Sequence, residues 1–228
     1  MKYLLWDIDG TLLLTNFAGV SALRSTIEAQ FGRPDFQFSQ GMSGRTDSFI
    51  ARNAIKDIKG TCSDQEVDVL LKDYAQRLPS YLIEKQGHLM PMVNEALQTV
   101  AQSAAFTSAL LTGNCLVAAH AKLKHFGIDD FFNYDLSAFG DSNDDRAHVA
   151  ACAKKKILSF DSTVKNDDII VIGDTPHDIT CAKAIDAPCL VILAGSSYSE
   201  KELSALNPWK IITELPQDGQ TLLDIFTK

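Results

Sequence analysis

Two carboxylates stand one residue apart near the start of the chain, Asp7 and Asp9 in the stretch YLLWDIDGTLLL. They follow an apolar run, and in an extended strand residues two apart point to the same side. Like charges so placed disfavour each other unless a cation or a proton relay uses them. Asp-Gly after an apolar run is also an ordinary turn signal, so the pair alone leaves both readings open. Three later apolar runs likewise lead into polar residues with chemical capacity: Thr112-Gly113-Asn114, then Asp141 to Arg146, then Gly173-Asp174-Thr175-Pro176-His177-Asp178. Thr112 brings a hydroxyl, and Gly113 and Asn114 bring backbone N–H groups to the start of an expected helix, a ready anion site. Thr and Asn are equally ordinary helix caps. Asp178 falls one helical turn after Asp174, where an acid also suits the helix dipole.

The elements that must position these residues follow from the apolar runs. Segments 2–8, 106–112, 134–139, 169–173 and 189–194, with a weaker one at 210–213, predict strands. Runs apolar on both faces imply a parallel sheet covered on both sides. Helices are predicted between them. Segment 92–104 follows Pro91, and 115–126 places Leu116, Ala119, Leu123 and Phe126 on one face before Gly127. Segment 144–158 turns Val149, Ala153 and Ile157 inward, 177–185 follows Pro176, and a short polar helix spans 199–206. The alternation predicts an α/β fold, a sandwich of helices on a parallel sheet with right-handed crossovers. All strand ends then lie on one edge, where residues distant in sequence converge.

Residues 15–88 break that rhythm. Phe17, Val20, Leu23, Ile27 and Phe31 recur at helical spacing, Phe49, Ile50, Ala54 and Ile58 form a second helical face, and Ser63 with Glu66 reads as a capping box opening a third helix. Pro79 should kink or split that helix. The expected organisation is a core domain of 1–14 plus 89–228 and a helical domain of 15–88 inserted over the carboxyl ends of the strands, where open α/β sheets bind ligands.

Composition narrows the class. An apolar share of 46% and a charged share of 22% are ordinary for a globular protein. With 21 basic against 29 acidic residues, a formal charge of -8 and one short basic run, Lys154-Lys155-Lys156, the chain lacks the patch a nucleic-acid binder uses on phosphates. The five cysteines show no C-x-x-C spacing, which argues for reduced thiols rather than zinc or a disulfide framework. The apolar N-terminal stretch is too short for a signal peptide and no run approaches a membrane span, so a soluble cytoplasmic protein is expected.

Taken together and in order, DIDGT (7–11), LLTGN (110–114) and IGDTPHD (172–178) resemble the first, second and fourth motifs of the haloacid dehalogenase superfamily, in its phosphatase branch with a helical cap, over residues 1–195. The third motif departs from the commoner lysine-proline pattern. FGDSNDDRAHVAACA carries Arg146 at the opening of a helix, similar to the branch in which arginine takes the lysine's place; Lys154, Lys155 and Lys156 are the rivals, farther from the strand end.

The resemblance implies a three-layer Rossmann-like core with an α-helical cap, and a Mg²⁺-dependent phosphatase acting on a small phosphorylated metabolite, similar to phosphoglycolate phosphatase-like enzymes. It implies that Asp7 is the nucleophile forming an aspartyl-phosphate and Asp9 the general acid and base. Thr112, Gly113, Asn114 and Arg146 would hold the phosphate, and Asp7, Asp9, Asp174 and Asp178 the Mg²⁺, with oxygen ligands that suit that ion. Arg45, in SGRTD of the cap, resembles cap-loop residues that contact substrate. His177 reads as a spacer. A monomer or homodimer is expected. A phosphomutase would share the whole core, and a non-catalytic phosphate-sensing or interaction module would share the fold.

Overall fold

The computed structural model describes residues 1–141 and 144–227. Ser142 and Asn143 of the acidic turn before Arg146 lie outside the described residues. In chain order the elements are β1 (Lys2–Trp6), β2 (Leu13–Leu14), α1 (Ala18–Phe31), α2 (Asp47–Lys59), α3 (Asp64–Lys85), β3 (His88–Leu89), α4 (Val93–Ala101), β4 (Phe106–Leu110), α5 (Leu116–His125), α6 (Arg146–Phe160), β5 (Ile169–Gly173), α7 (Pro176–Ala184), β6 (Cys189–Ile192), α8 (Glu200–Ser204), β7 (Lys210–Ile212) and α9 (Gly219–Thr227).

Five strands form one parallel sheet in the order β4-β1-β5-β6-β7. Alternation along β1 sends Leu4 and Trp6 to one face and Tyr3 and Leu5 to the other, and all four are fully buried. The first face packs with Leu97 and Val100 of α4 and Leu222 and Phe226 of α9, the second with Val149 and Ile157 of α6 and Ile179 of α7. Each such side chain, moved from water into the interior, contributes about 1.5–3 kcal/mol. The two faces make the sheet the rigid centre from which the site is hung.

Segment 134–139, expected as a strand, is not one. Tyr134–Leu136 is a 3₁₀ turn held by Asn133, whose side-chain oxygen accepts from the N–H groups of Asp135 and Leu136, and only Ala138 makes a bridge, to Leu111. The apolar run was filled instead by residues that plug the sheet's edge. The C-terminal helix α9 was not anticipated; Phe226 stacks edge-on against Trp6 (6.2 Å) and Phe106 (5.9 Å).

The insertion between β2 and β3 is helical, as expected, and the apolar cluster of α1, α2 and α3 continues onto Cys115 and Ala118 at the start of α5. The Ser63–Glu66 capping box is present. Helix α3 runs unsplit through Pro79, because burial of Tyr74, Leu78 and Leu82 on one side holds both halves to α1. The chain leaves and re-enters the sheet side by side, with β2 antiparallel to β3. Asn16, Phe17 and Gln86 at this crossing all have positive φ (48°, 67° and 47°), a region non-glycine residues seldom occupy. Among the described residues no helix is long and apolar enough to cross a membrane.

Candidate active site

Three parallel strands deliver the site. The ladder continues one residue past β1, where the Asp7 N–H donates to Ile172 O (2.9 Å), so Asp7 emerges at the sheet's carboxyl edge beside Asp174, which follows β5. Leu111 N–H donates to Trp6 O and brings Thr112 to the same edge after β4. Asp7, Asp174 and Asp178 are buried, and each presents an oxygen within 4.8 Å of the other two. Gly10 makes this approach possible: its φ is +87°, and a Cβ there would lie 2.4 Å from Asp174 Oδ2. Thr11 Oγ1 donates to Asp174 Oδ1 (3.1 Å).

Asp178 is doubly occupied. Its Oδ2 accepts from the N–H groups of Asp174 (3.2 Å) and Thr175 (2.9 Å) and from Thr175 Oγ1, capping α7, while Oδ1 accepts from Arg146 Nη2 (2.8 Å). The capping reading of this acid is met, and the same carboxylate also pairs with Arg146. Arg146, first residue of α6, is buried and also reaches Asp7 Oδ1 (3.4 Å) and the Gly44 carbonyl (3.1 Å). Two of its rivals are spent elsewhere. Lys154 donates to Ile185 O and Lys156 to Ser137 O.

Electrostatics follow from this crowding. Burial, with Asp178 and Asp9 adding repulsion against the pull of Arg146, raises the Asp7 carboxyl to about 7. Burial followed by the charges of Asp178 and Asp7 raises Asp174 to about 9. Arg146 is held above its ordinary range despite its own burial, by Asp178 and Asp7. Three buried carboxylates sharing one guanidinium form an all-oxygen cluster that a hard divalent cation fits and would relieve.

The Thr112-Gly113-Asn114 segment arranges its polar groups through local hydrogen bonds. Thr112 Oγ1 accepts both the backbone N–H (3.2 Å) and the side-chain amide (2.9 Å) of Asn114, leaving its own O–H to donate. The Asn114 N–H is thus turned inward, and of the two backbone donors expected there only Gly113 N–H has no partner among the described residues. Gly113 is tightly enclosed, since a Cβ would fall 2.1 Å from Arg45 O. That contact belongs to a seam in which the cap loop docks on the core: Asp47 N–H donates to Gly113 O (2.7 Å), Ser48 N–H to Gly140 O (3.2 Å), and Cys115 N–H to Asp47 Oδ2 (2.8 Å). Burial raises the Asp47 carboxyl to about 6 against the opposing pull of Lys122.

Above the acids lies a cavity of about 570 Å³, its floor formed by Asp7, Asp9, Asn114 and Arg146 and its walls by Leu14, Phe17, Val20, Leu23, Met42 and Ile50. Arg45 lines it too, exposed, with its guanidinium 4.6 Å over the Phe49 ring. His177 packs against Gly44, where a Cβ would come within 2.7 Å of the imidazole, and burial followed by the charges of Arg45 and Arg146 lowers its pKa.

One residue of the site was missed from sequence. Lys122 of α5 is buried and its ammonium bonds both oxygens of Asp9 (2.7 and 2.6 Å) and Asn114 Oδ1 (2.7 Å). The signal was a lysine in register with buried Ala118, Ala119 and Leu123, while the Leu116 expected to point inward is 43% exposed.

Several solved structures share this architecture. A hydrolase from Pseudomonas syringae superposes with a TM-score of 0.72 at 20% identity, covering 100% of both chains. CbbY from Rhodobacter sphaeroides, in complex with phosphate, gives 0.70 at 15% over 94% of each chain. A predicted phosphoglycolate phosphatase from Haemophilus somnus gives 0.65 at 18%, over 99% of this chain and 97% of that one. At these identities the likeness establishes the fold. No curated protein matches the chain. Residues 4–192 match the haloacid dehalogenase-like hydrolase family across the sheet, the helical insertion and every acid described above, and the chain belongs to that family of hydrolytic enzymes.

Proposed function

We propose that the chain is a Mg²⁺-dependent phosphatase that hydrolyses a small phosphorylated metabolite, a phosphate monoester, through an aspartyl-phosphate on Asp7, in the manner of phosphoglycolate phosphatase-like enzymes. The observation that carries this reading is the buried cluster of Asp7, Asp174 and Asp178, of which Asp7 reaches the cavity, with Arg146 3.4 Å from Asp7 and Asp9 also lining the cavity. Asp7 and Asp174, with the Asp9 carbonyl, are the groups that would hold Mg²⁺, and Asp178 orients the cluster. The ion, when bound, offsets the repulsion between the nucleophile and the phosphoryl oxygens.

The protein's own groups supply the remainder. An Asp7 oxygen bonds phosphorus while the ester P–O bond breaks, and the departing oxygen keeps the electron pair and takes the Asp9 proton. Water then bonds phosphorus, gives its proton to Asp9, and the Asp7–phosphorus bond breaks to release phosphate. Arg146, the Thr112 hydroxyl and the Gly113 N–H steady the phosphoryl oxygens. The insertion of residues 15–88 acts as a cap that excludes water from the bound ester, and Arg45 at the cavity wall meets the distal end of the substrate.

The test is phosphate release from an aryl phosphate and a panel of small phosphate esters, with Mg²⁺ and with chelator, by the wild type and Asp7→Asn. Metal-dependent release lost in the variant is expected. Isomerisation of a sugar phosphate without release would make the chain a phosphomutase instead, and no turnover of any ester would overturn the enzymatic reading in favour of a binding module.

A further inference from the structure

Asp9 lines the cavity without a bond to Arg146, and it has a cation of its own. Lysine is almost never buried without a partner, yet Lys122 lies buried in α5, two turns beyond Asn114. Its three donors match three acceptors: Asp9 Oδ1 at 2.7 Å, Asp9 Oδ2 at 2.6 Å and Asn114 Oδ1 at 2.7 Å. Asn114 closes the ring by donating its amide to Asp9 Oδ2 (2.8 Å) and Thr112 Oγ1 (2.9 Å). Gly19 of α1 leaves the space above clear, since a Cβ there would lie 3.3 Å from Tyr74 Oη and 3.9 Å from Lys122 Nζ.

A carboxylate offers about four lone-pair positions. Lys122 takes one on each oxygen and Asn114 takes the second on Oδ2, so the position left without a partner among the described residues is on Oδ1. We propose that Lys122 is the positioning residue of Asp9: with Asn114 it locks the carboxyl in one rotamer and leaves Oδ1 as the oxygen that gives the proton to the departing alcohol. Because all three ammonium donors are committed, Lys122 does not hold the phosphate itself. Its loss therefore weakens proton delivery rather than binding.

This rests on the phosphatase reading, and leaving-group dependence tests it. A p-nitrophenolate leaves without protonation, whereas an alkoxide needs a proton in the same step. With enzyme in excess, the rate of alcohol release in the first turnover is measured for p-nitrophenyl phosphate and for an alkyl phosphate, in the wild type and Lys122→Met. The alkyl ester should slow by about 100-fold or more and the aryl ester by less than about 10-fold, with KM for both within about 3-fold; Lys122→Arg, which keeps the charge, should recover most of the alkyl rate. Equal slowing of both esters, a change confined to KM, or an unchanged alkyl rate overturns the proposal while leaving the phosphatase reading intact. If Lys122→Met does not fold, Lys122→Gln is measured by the same comparison and read by the same outcomes. A wild type inactive on both esters refutes the phosphatase reading, and the proposal with it.

Discussion

Removing divalent cations while raising the pH should destabilise this protein by an amount that the buried acids set. Asp7 and Asp174 titrate in the folded chain near 7 and 9, against an ordinary 3.8. A raised folded pKa means that the native state holds protons the unfolded chain has already released, so stability falls as pH rises through that window. Between pH 7 and 9 about one such proton remains, on Asp174, at about 1.4 kcal/mol per pH unit. The two acids should cost the metal-free protein about 2.7 kcal/mol across those two units, a fall of roughly 5–11 °C in Tm for a chain of this size, and the thiols of Cys115, Cys181 and Cys189, which burial pushes up, add a smaller fall near pH 9. A cation bound by ionised carboxylates displaces that proton, so Mg²⁺ affinity should climb about tenfold per unit over the same range, and Mg²⁺ should protect more at pH 9 than at pH 7. Thermal melts at both pH values, with chelator and with Mg²⁺, read the first effect. Calorimetry at pH 8 in buffers of different ionisation enthalpy reads the second, as about one proton released per ion. Asp174→Asn, which cannot ionise, should remove most of the fall in the chelated profile. A metal-free Tm that does not change from pH 7 to 9, or Mg²⁺ binding without proton release, would refute the argument.

Other expectations follow from single residues. Arg146→Ala strands the buried carboxylates of Asp7 and Asp178 and should cost about 3–5 kcal/mol in urea unfolding at pH 7.5; a change below about 1 kcal/mol would mean that the pair contributes little. Asp186 stands exposed at φ 54°, so Asp186→Gly should add about 1 kcal/mol, seen as a Tm higher by roughly 2–4 °C with activity unchanged. Phe226→Ala removes the ring that packs on Trp6 and Phe106 and should cost about 3–5 kcal/mol by the same measurement, a direct check that α9 is part of the core rather than a tail.

How much was legible depended on whether a residue's role is set by its neighbours in sequence or by its neighbours in space. The strands at 2–8, 106–112 and 169–173 declared themselves through apolar runs, because a strand buried on both faces has no other way to be written. The helices of the insertion were legible by period and, at Ser63 and Glu66, by a cap whose two bonds are local. Asp7, Asp174 and Arg146 were nameable because each sits at an element boundary that the sequence marks. Segment 134–139 misled, since an apolar run describes burial and does not distinguish a strand from a 3₁₀ turn that plugs the same edge. At Pro79 the helix is not split, because packing of α3 against α1 outweighs the one hydrogen bond that proline removes.

What only the tertiary structure decided is the pairing of charges. Sequence placed three candidate cations, Lys154, Lys155 and Lys156, beside Arg146; the fold gave Arg146 to Asp7 and Asp178 and directed Lys154 and Lys156 to backbone carbonyls. It also brought Lys122 to Asp9 across a separation of more than a hundred residues, and no local pattern encodes such a meeting. The acids of the proposed chemistry are written in the order of the chain, but which cation faces which acid is settled by the crossing of strand ends and helix starts at one edge of the sheet. Burial there makes an unpaired charge too costly to leave.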